Sequence, residues 1–89
     1  MFYIYLIESL KSGKIYIGTT DSLRRKLKEH NQGLNFSTKR DKPWKYVYIE
    51  GSTEKTDAKR REKYLKSTQG RRMLRKRLKD YFCNKSRKI

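Results

Sequence analysis

Apolar residues alternate along the first two stretches of the chain, Phe2-Tyr3-Ile4-Tyr5-Leu6-Ile7 and Ile15-Tyr16-Ile17-Gly18. A period of two predicts strands, and Lys11-Ser12-Gly13 supplies turn chemistry between them, so the pattern predicts a hairpin of about residues 2–9 and 14–19. Any even-length connection pairs odd positions of the first strand with even positions of the second. Tyr3, Tyr5 and Tyr16 then share one face, while Phe2, Ile4, Leu6, Ile15 and Ile17 form an apolar surface that helices must cover. The tyrosine face has two readings: strand-favouring residues that carry a polar tip to the surface, or a functional surface.

The spacing then turns helical. Thr20-Asp21 is the expected N-cap, Leu23 to Gln32 carries the apolar stripe, and Gly33 is the stop signal. At 100° per residue Leu23, Leu27 and His30 fall within about 60° of one another, with Lys26 at the stripe's edge. Arg24 and Arg25 are turned about 160° and about 100° from Lys26, so His30 and Lys26 face the protein body and Arg25 faces away. The imidazole is either a hydrogen-bonded structural group or a reacting one. A polar, basic loop follows over residues 34–43, and its Ser37, Thr38, Lys39 and Arg40 suit either simple connection or phosphate contact.

Trp44 to Glu50 reads as a third strand closed by Gly51. A second helix starts from Ser52-Thr53-Glu54 with Ala58, Glu62 and Leu65 on one stripe, and Gly70 separates it from a third helix, Arg71 to about Phe82. Met73, Leu74, Leu78, Tyr81 and Phe82 are that helix's expected buried stripe. An acid within an inward stripe is costly unless paired or bound to a metal. Glu62 therefore calls for a salt bridge to a neighbour such as Lys59 or Arg61, or for a metal ion.

Charge narrows the partners. Twenty-five Lys and Arg against nine Asp and Glu give a net charge of +16 in 89 residues, and residues 54–89 alone carry fifteen basic and four acidic side chains. Such a chain is drawn to polyanions, with nucleic acid the leading partner and a membrane surface the rival. No apolar run approaches the roughly 20 residues of a spanning helix, and the N-terminus lacks a signal-peptide pattern, so a soluble, cytoplasmic protein without membrane attachment is expected. The single cysteine, Cys83, excludes an internal disulfide and fits a reducing compartment. One domain over residues 1–83 and a fraying basic tail over 84–89 are expected; no obligate protein partner is evident.

Tyr3-Ile4-Tyr5, Lys14-Ile15-Tyr16-Ile17-Gly18, the helix ending Glu29-His30-Asn31 and the later Arg60-Arg61-Glu62 together resemble the GIY-YIG nuclease family, in particular its small stand-alone bacterial members. Order and spacing combined carry the resemblance, from about residue 2 to about residue 80. It implies an α+β fold, a three-stranded antiparallel sheet flanked by helices in the order β-β-α-β-α-α. It further implies a metal-dependent endonuclease that hydrolyses DNA phosphodiester bonds, in a structure- or damage-directed manner. Tyr5, Tyr16 and His30 map onto the family's catalytic positions, and Glu62 onto its metal-binding glutamate, for Mg²⁺ or Mn²⁺. In the family-like scheme a tyrosine, its pKa depressed by surrounding cations and assisted by His30, receives or relays the proton. Arg24, Arg25, Ser37, Thr38, Lys39, Arg40, Lys59 and Arg60 are the expected nucleic-acid contacts.

Two positions depart from the family pattern. Tyr3 stands where the family has glycine. Lys26 stands where it has a catalytic arginine, and a lysine gives phosphate a point charge without the planar fork. The alternative function is a nucleic-acid-binding protein that keeps the fold without cutting, and nothing in the sequence separates DNA from RNA.

Overall fold

The computed structural model describes residues 1–86. Three antiparallel strands, β1 (Phe2–Ser9), β2 (Ile15–Thr20) and β3 (Trp44–Ser52), form a sheet in the order β2-β1-β3. The helices are α1 (Leu23–Asn31), α2 (Lys55–Lys66), α3 (Thr68–Arg77) and α4 (Lys79–Ser86), with a single 3-10 turn at Lys39–Asp41. The fold is thus α+β with the expected element order, except that the last helix is divided in two. In the hairpin register Tyr5 faces Gly18 and Ile7 faces Tyr16, so odd positions of β1 do pair with even positions of β2.

Both faces of the sheet are covered. Ile4, Leu6 and Ile17 pack with Ala58 and Leu65 of α2 and Leu74 of α3. On the other face Tyr5, Ile7 and Trp44 form a second core, closed by Leu23 and Leu27 of α1 together with Tyr16 and Tyr46. The tyrosines of that face are therefore largely interior, and the reading of tips carried to the surface fails for Tyr5, which is 1% exposed.

A register shift between β1 and β3 at Leu6/Ile7 decides where the β3 tyrosines go. Strict alternation would put Tyr46 and Tyr48 on one face. The bulge inserts an extra residue, so Tyr46 pairs with Ile7 and joins Tyr5 while Tyr48 pairs with Leu6 and joins the α2 side. Gly51 does not close β3: it pairs with Tyr3, and the strand continues to Ser52.

Helix ends differ from expectation by one to three residues where a cap decides them, each for a local reason. Ser22, not Thr20-Asp21, caps α1, its hydroxyl accepting the Arg25 N–H. Gly33 does end α1: its φ of +75° allows its own N–H to reach His30 O and Leu34 N–H to reach Glu29 O, the paired bonds of a Schellman motif. The break after α2 falls at Ser67, whose hydroxyl caps α3 by accepting the Gly70 N–H. Gly70 lies inside α3 for another reason. A Cβ there would stand 2.0 Å from Tyr64 O and 2.6 Å from Leu65 Cα, so glycine is what lets α3 press against the end of α2. Gly70→Ala is accordingly expected to cost at least the roughly 1–3 kcal/mol of an overpacked core, read as a lowered midpoint in denaturant unfolding. The expected single helix to Phe82 is interrupted at Leu78, the C-cap of α3, whose side chain packs against the first core. Asn84 to Ser86, expected to fray, are the end of α4, and residues 87–89 of the expected tail lie outside the described residues.

Candidate active site

Helix α1 covers one face of the sheet and α2 the other, and a side chain of each reaches the edge strand β2. Near the start of β2, His30 of α1 meets Tyr5 and Tyr16. The Tyr16 ring centroid is 5.4 Å from that of His30 and 6.5 Å from that of Tyr5, and Tyr46 packs edge-on to Tyr5 at 5.6 Å. Gly18, across from Tyr5, is required here: a Cβ would lie 2.4 Å from the Tyr5 hydroxyl oxygen. The absence of that carbon lets the Tyr5 phenol cross β2 and reach His30 Nε2 at 2.8 Å.

His30 is fully buried, and both ring nitrogens are engaged, Nε2 with Tyr5 and Nδ1 with Thr38 Oγ1 at 2.7 Å. Burial, aided by the nearby Lys26 charge, lowers the His30 pKa and favours the neutral ring. Burial raises the Tyr5 pKa, with the neighbouring phenols Tyr16 and Tyr46 and the acids Glu62 and Glu29 acting in the same direction. This corrects the expectation of a cation-depressed base at Tyr5: the hydroxyl is interior, and desolvation of the phenolate dominates. Tyr16 is only half-buried, with Lys66 Nζ 5.9 Å from its ring centroid.

Lys66 links this cluster to Glu62. Its ammonium lies 3.0 Å from Glu62 Oε2, while Glu62 Oε1 accepts the Thr19 hydroxyl and stands 3.6 Å from Lys59 Nζ. Of the expected salt-bridge partners Lys59 is present, but Arg61 turns the other way and grips Glu50 with two bonds of 2.9 and 3.0 Å. Burial opposes ionisation of Glu62, but the hydrogen bonds from Thr19 and Lys66 and the charges of Lys66 and Lys59 outweigh it and hold the carboxyl below its usual range. Glu62 is the site's one acid so placed. Among the described residues no three His, Cys, Asp or Glu side chains come together as metal ligands.

At the other end of β2 an open cleft of about 290 Å³ is lined by Thr19, Thr20, Arg25, Lys26, Lys55 and Lys59. Lys26 is 28% exposed and paired with Glu29 at 3.4 Å. Arg25, expected to face away, lines the same cleft, braced by Asp21 at 2.5 Å and Glu29 at 3.5 Å. A long side chain one residue from Lys26 bends back toward the preceding turn, which helical phase alone does not reveal. Among the remaining expected nucleic-acid contacts, Arg24, Ser37, Lys39 and Arg40 are exposed, and Arg60 is exposed and paired with Asp57 at 2.9 Å. Thr38 is fully buried against His30 and so is not available to a phosphate.

The sequence pattern does not mark every contributor, and Lys55, which walls the cleft, is one it leaves out. Thr19 and Lys66 hold Glu62. Asn31 clamps the start of β3 as a strand partner would, its Oδ1 accepting Trp44 N–H at 2.6 Å and its Nδ2 donating to Trp44 O at 3.2 Å. Trp44 in turn donates its indole N–H to Thr38 O at 2.9 Å. Asn31 next to His30 and Lys66 four residues after Glu62 were available signals; the partnership of Asn31 with Trp44 was not, because it crosses the loop.

The fold and the site together define a small α+β domain with two tyrosines, a histidine and a glutamate ranged along one edge strand. The family model for the GIY-YIG catalytic domain matches residues 1–74, and the chain belongs to that family. It is 36% identical over 67 residues to a UPF0213 protein of Clostridium perfringens, covering 74% of this chain and 71% of that one. It is 37% identical over 65 residues to a UPF0213 protein of Streptococcus pneumoniae serotype 4, covering 72% of this chain and 65%, just under two thirds, of that one. No solved structure matches the chain.

Proposed function

We propose that the protein is a metal-dependent endonuclease that hydrolyses DNA phosphodiester bonds, directed by the substrate's structure or by damage. One observation carries the reading: His30, Tyr5 and Tyr16 converge at one end of β2, a cleft walled by Lys26, Arg25, Lys55 and Lys59 opens at the other, and Glu62 bonds Thr19 at the cleft while its partner Lys66 lies by the Tyr16 ring.

Phosphodiester hydrolysis needs a directed water, an acceptor for its proton, positive charge for the phosphorane and help for the leaving oxygen. Tyr16, the half-buried phenol, is the group in this cluster that reaches solvent and can meet the water, with His30 behind it. Tyr5 keeps its proton and holds His30 through Nε2. Lys26 and the cleft cations attract and neutralise the phosphate. Glu62, held ionised, suits one Mg²⁺ or Mn²⁺, which takes one or two carboxylates and completes its shell with substrate phosphate and water. Binding there requires Lys59 and Lys66 to yield a carboxylate oxygen each holds. A divalent ion so bound supplies positive charge to the scissile phosphate and leaving group.

The non-cutting reading has its own support in the Lys26–Glu29 pair, which partly neutralises the cation at the position the family fills with arginine. An assay over single-stranded, nicked, flapped and branched DNA, with and without Mg²⁺ or Mn²⁺, separates the two. Metal-dependent cleavage is expected; binding without cleavage on every substrate favours the second reading. Binding to a short duplex is expected to weaken steeply with salt, since log K falls about 0.9 per phosphate contact for each tenfold rise in salt. A log–log slope shallower than about −2 between roughly 50 and 200 mM salt contradicts an extended basic binding face.

A further inference from the structure

Thr38 was expected to meet phosphate and instead sits inside the protein, 0% exposed, on a loop whose neighbours Ser37, Lys39 and Arg40 face solvent. Three groups fix it. Its hydroxyl lies 2.7 Å from His30 Nδ1 and 3.5 Å from Asn35 O, and its carbonyl accepts the Trp44 indole at 2.9 Å. Trp44 is itself held by Asn31, the residue after His30, so the loop is tied at both ends to the helix that carries the imidazole.

The hydrogen-bond accounts of this cluster close in only one way. A hydroxyl has a single proton to give. Among the described residues the one hydrogen-bond partner of the Tyr5 hydroxyl is His30 Nε2, and Tyr5 is buried, so its proton must go to that nitrogen. Thr38 has an acceptor for its proton in Asn35 O, which leaves its oxygen to accept from His30 Nδ1. The opposite tautomer, with the proton on Nε2, leaves the Tyr5 proton unpaired in the interior and takes Thr38 away from Asn35.

We propose that Thr38 is a positioning residue that holds His30 in the Nδ1–H tautomer, so that Nε2 is a proton acceptor turned toward the tyrosines. The assignment stands on the hydrogen-bond geometry. Its bearing on cleavage rests on the nuclease reading above: a ring locked the other way presents an N–H donor to Tyr5 and no acceptor to the tyrosine cluster.

His30 is the chain's single histidine, so one imidazole spin system reports the tautomer directly. The experiment is a long-range ¹H–¹⁵N correlation spectrum of the ¹⁵N-labelled protein at about pH 8, above the ordinary histidine range. The expected result is a protonated Nδ1 and an unprotonated Nε2 in wild type, retained in Thr38→Ser and in Tyr5→Phe. In Thr38→Val, of nearly the same shape but without the acceptor, the two nitrogens are expected to average toward a tautomer mixture. A protonated Nε2 in wild type, or a Thr38→Val spectrum unchanged from wild type, overturns the proposal. Should Thr38→Val fail to fold, the wild-type and Tyr5→Phe spectra decide: Nδ1–H in both supports Thr38 as the holder, and Nε2–H in either overturns it. In single-turnover cleavage Thr38→Val is expected to be slowed about 10- to 100-fold and Thr38→Ser to stay near wild type, within the roughly 10²–10⁴ that acid–base catalysis contributes. Absence of cleavage in every variant counts against the nuclease reading, while the tautomer spectra still decide the role of Thr38.

Discussion

Glu62→Gln is expected to lower metal-dependent cleavage by at least about 100-fold while leaving duplex binding within a few-fold of wild type. Glutamine keeps the shape and an oxygen that can accept from Thr19, but it removes the negative charge a divalent ion needs. The competing account is well founded, because Lys59 and Lys66 both pair with this carboxylate. Their side chains are 58% and 46% exposed, so each pair is screened and contributes on the order of 0.2–1 kcal/mol. Loss of both, about 0.4–2 kcal/mol together, therefore lowers the melting temperature by about 2–16 °C, since about 1 kcal/mol moves a domain of this size by about 4–8 °C. A purely structural Glu62 predicts that this modest destabilisation is the whole effect and that activity per folded molecule is unchanged. Melting and cleavage measured on the same preparation separate the accounts; an active, destabilised variant removes Glu62 from the chemistry.

Lys26→Arg is expected to raise the single-turnover cleavage rate by about 5-fold to about 150-fold, the equivalent of roughly 1–3 kcal/mol for a regained charge-assisted contact. Lys26 lines the cleft and shares Glu29 with Arg25. Arginine at this position offers a planar fork that can keep one donor on Glu29 and present another to phosphate, where lysine has a single ammonium. Lys26→Ala is expected to fall below wild type. Arg25 is an unsuitable outward-facing control because it lines the same cleft; Arg24→Lys, on the exposed side of α1, is expected to leave turnover unchanged. If Lys26 is one more solvated cation, its Arg and Ala variants match wild type. Saturating enzyme isolates chemistry from binding.

Local information in the sequence sufficed for the strand pair and its faces. A period of two fixes which side chains share a face once the loop parity is given, so Tyr5 and Tyr16 came out together, and helical phase turned His30 and Glu62 inward. The net charge of +16 pointed to a polyanion without any structure. Helix ends were less legible: Ser22 and Ser67 win the caps from their neighbours, and Gly70 serves close packing rather than termination.

What tertiary structure alone decided concerns contacts between elements distant in sequence. The bulge opposite Leu6/Ile7 sends Tyr46 and Tyr48 to opposite cores, and a pairing defect of this kind has no signature in an alternating string. Whether a tyrosine is exposed or interior depends on what covers its face; α1 covers Tyr5, and the resulting desolvation raises a phenol pKa that charge counting alone would lower. Thr38, Asn31 and Trp44 are separated by up to thirteen residues, and only the folded loop makes them one support for His30. Sequence thus determined which residue types face which side, because that follows from backbone period. It left undetermined the partner of each polar group and its proton, because those depend on distances of about 3 Å set by packing.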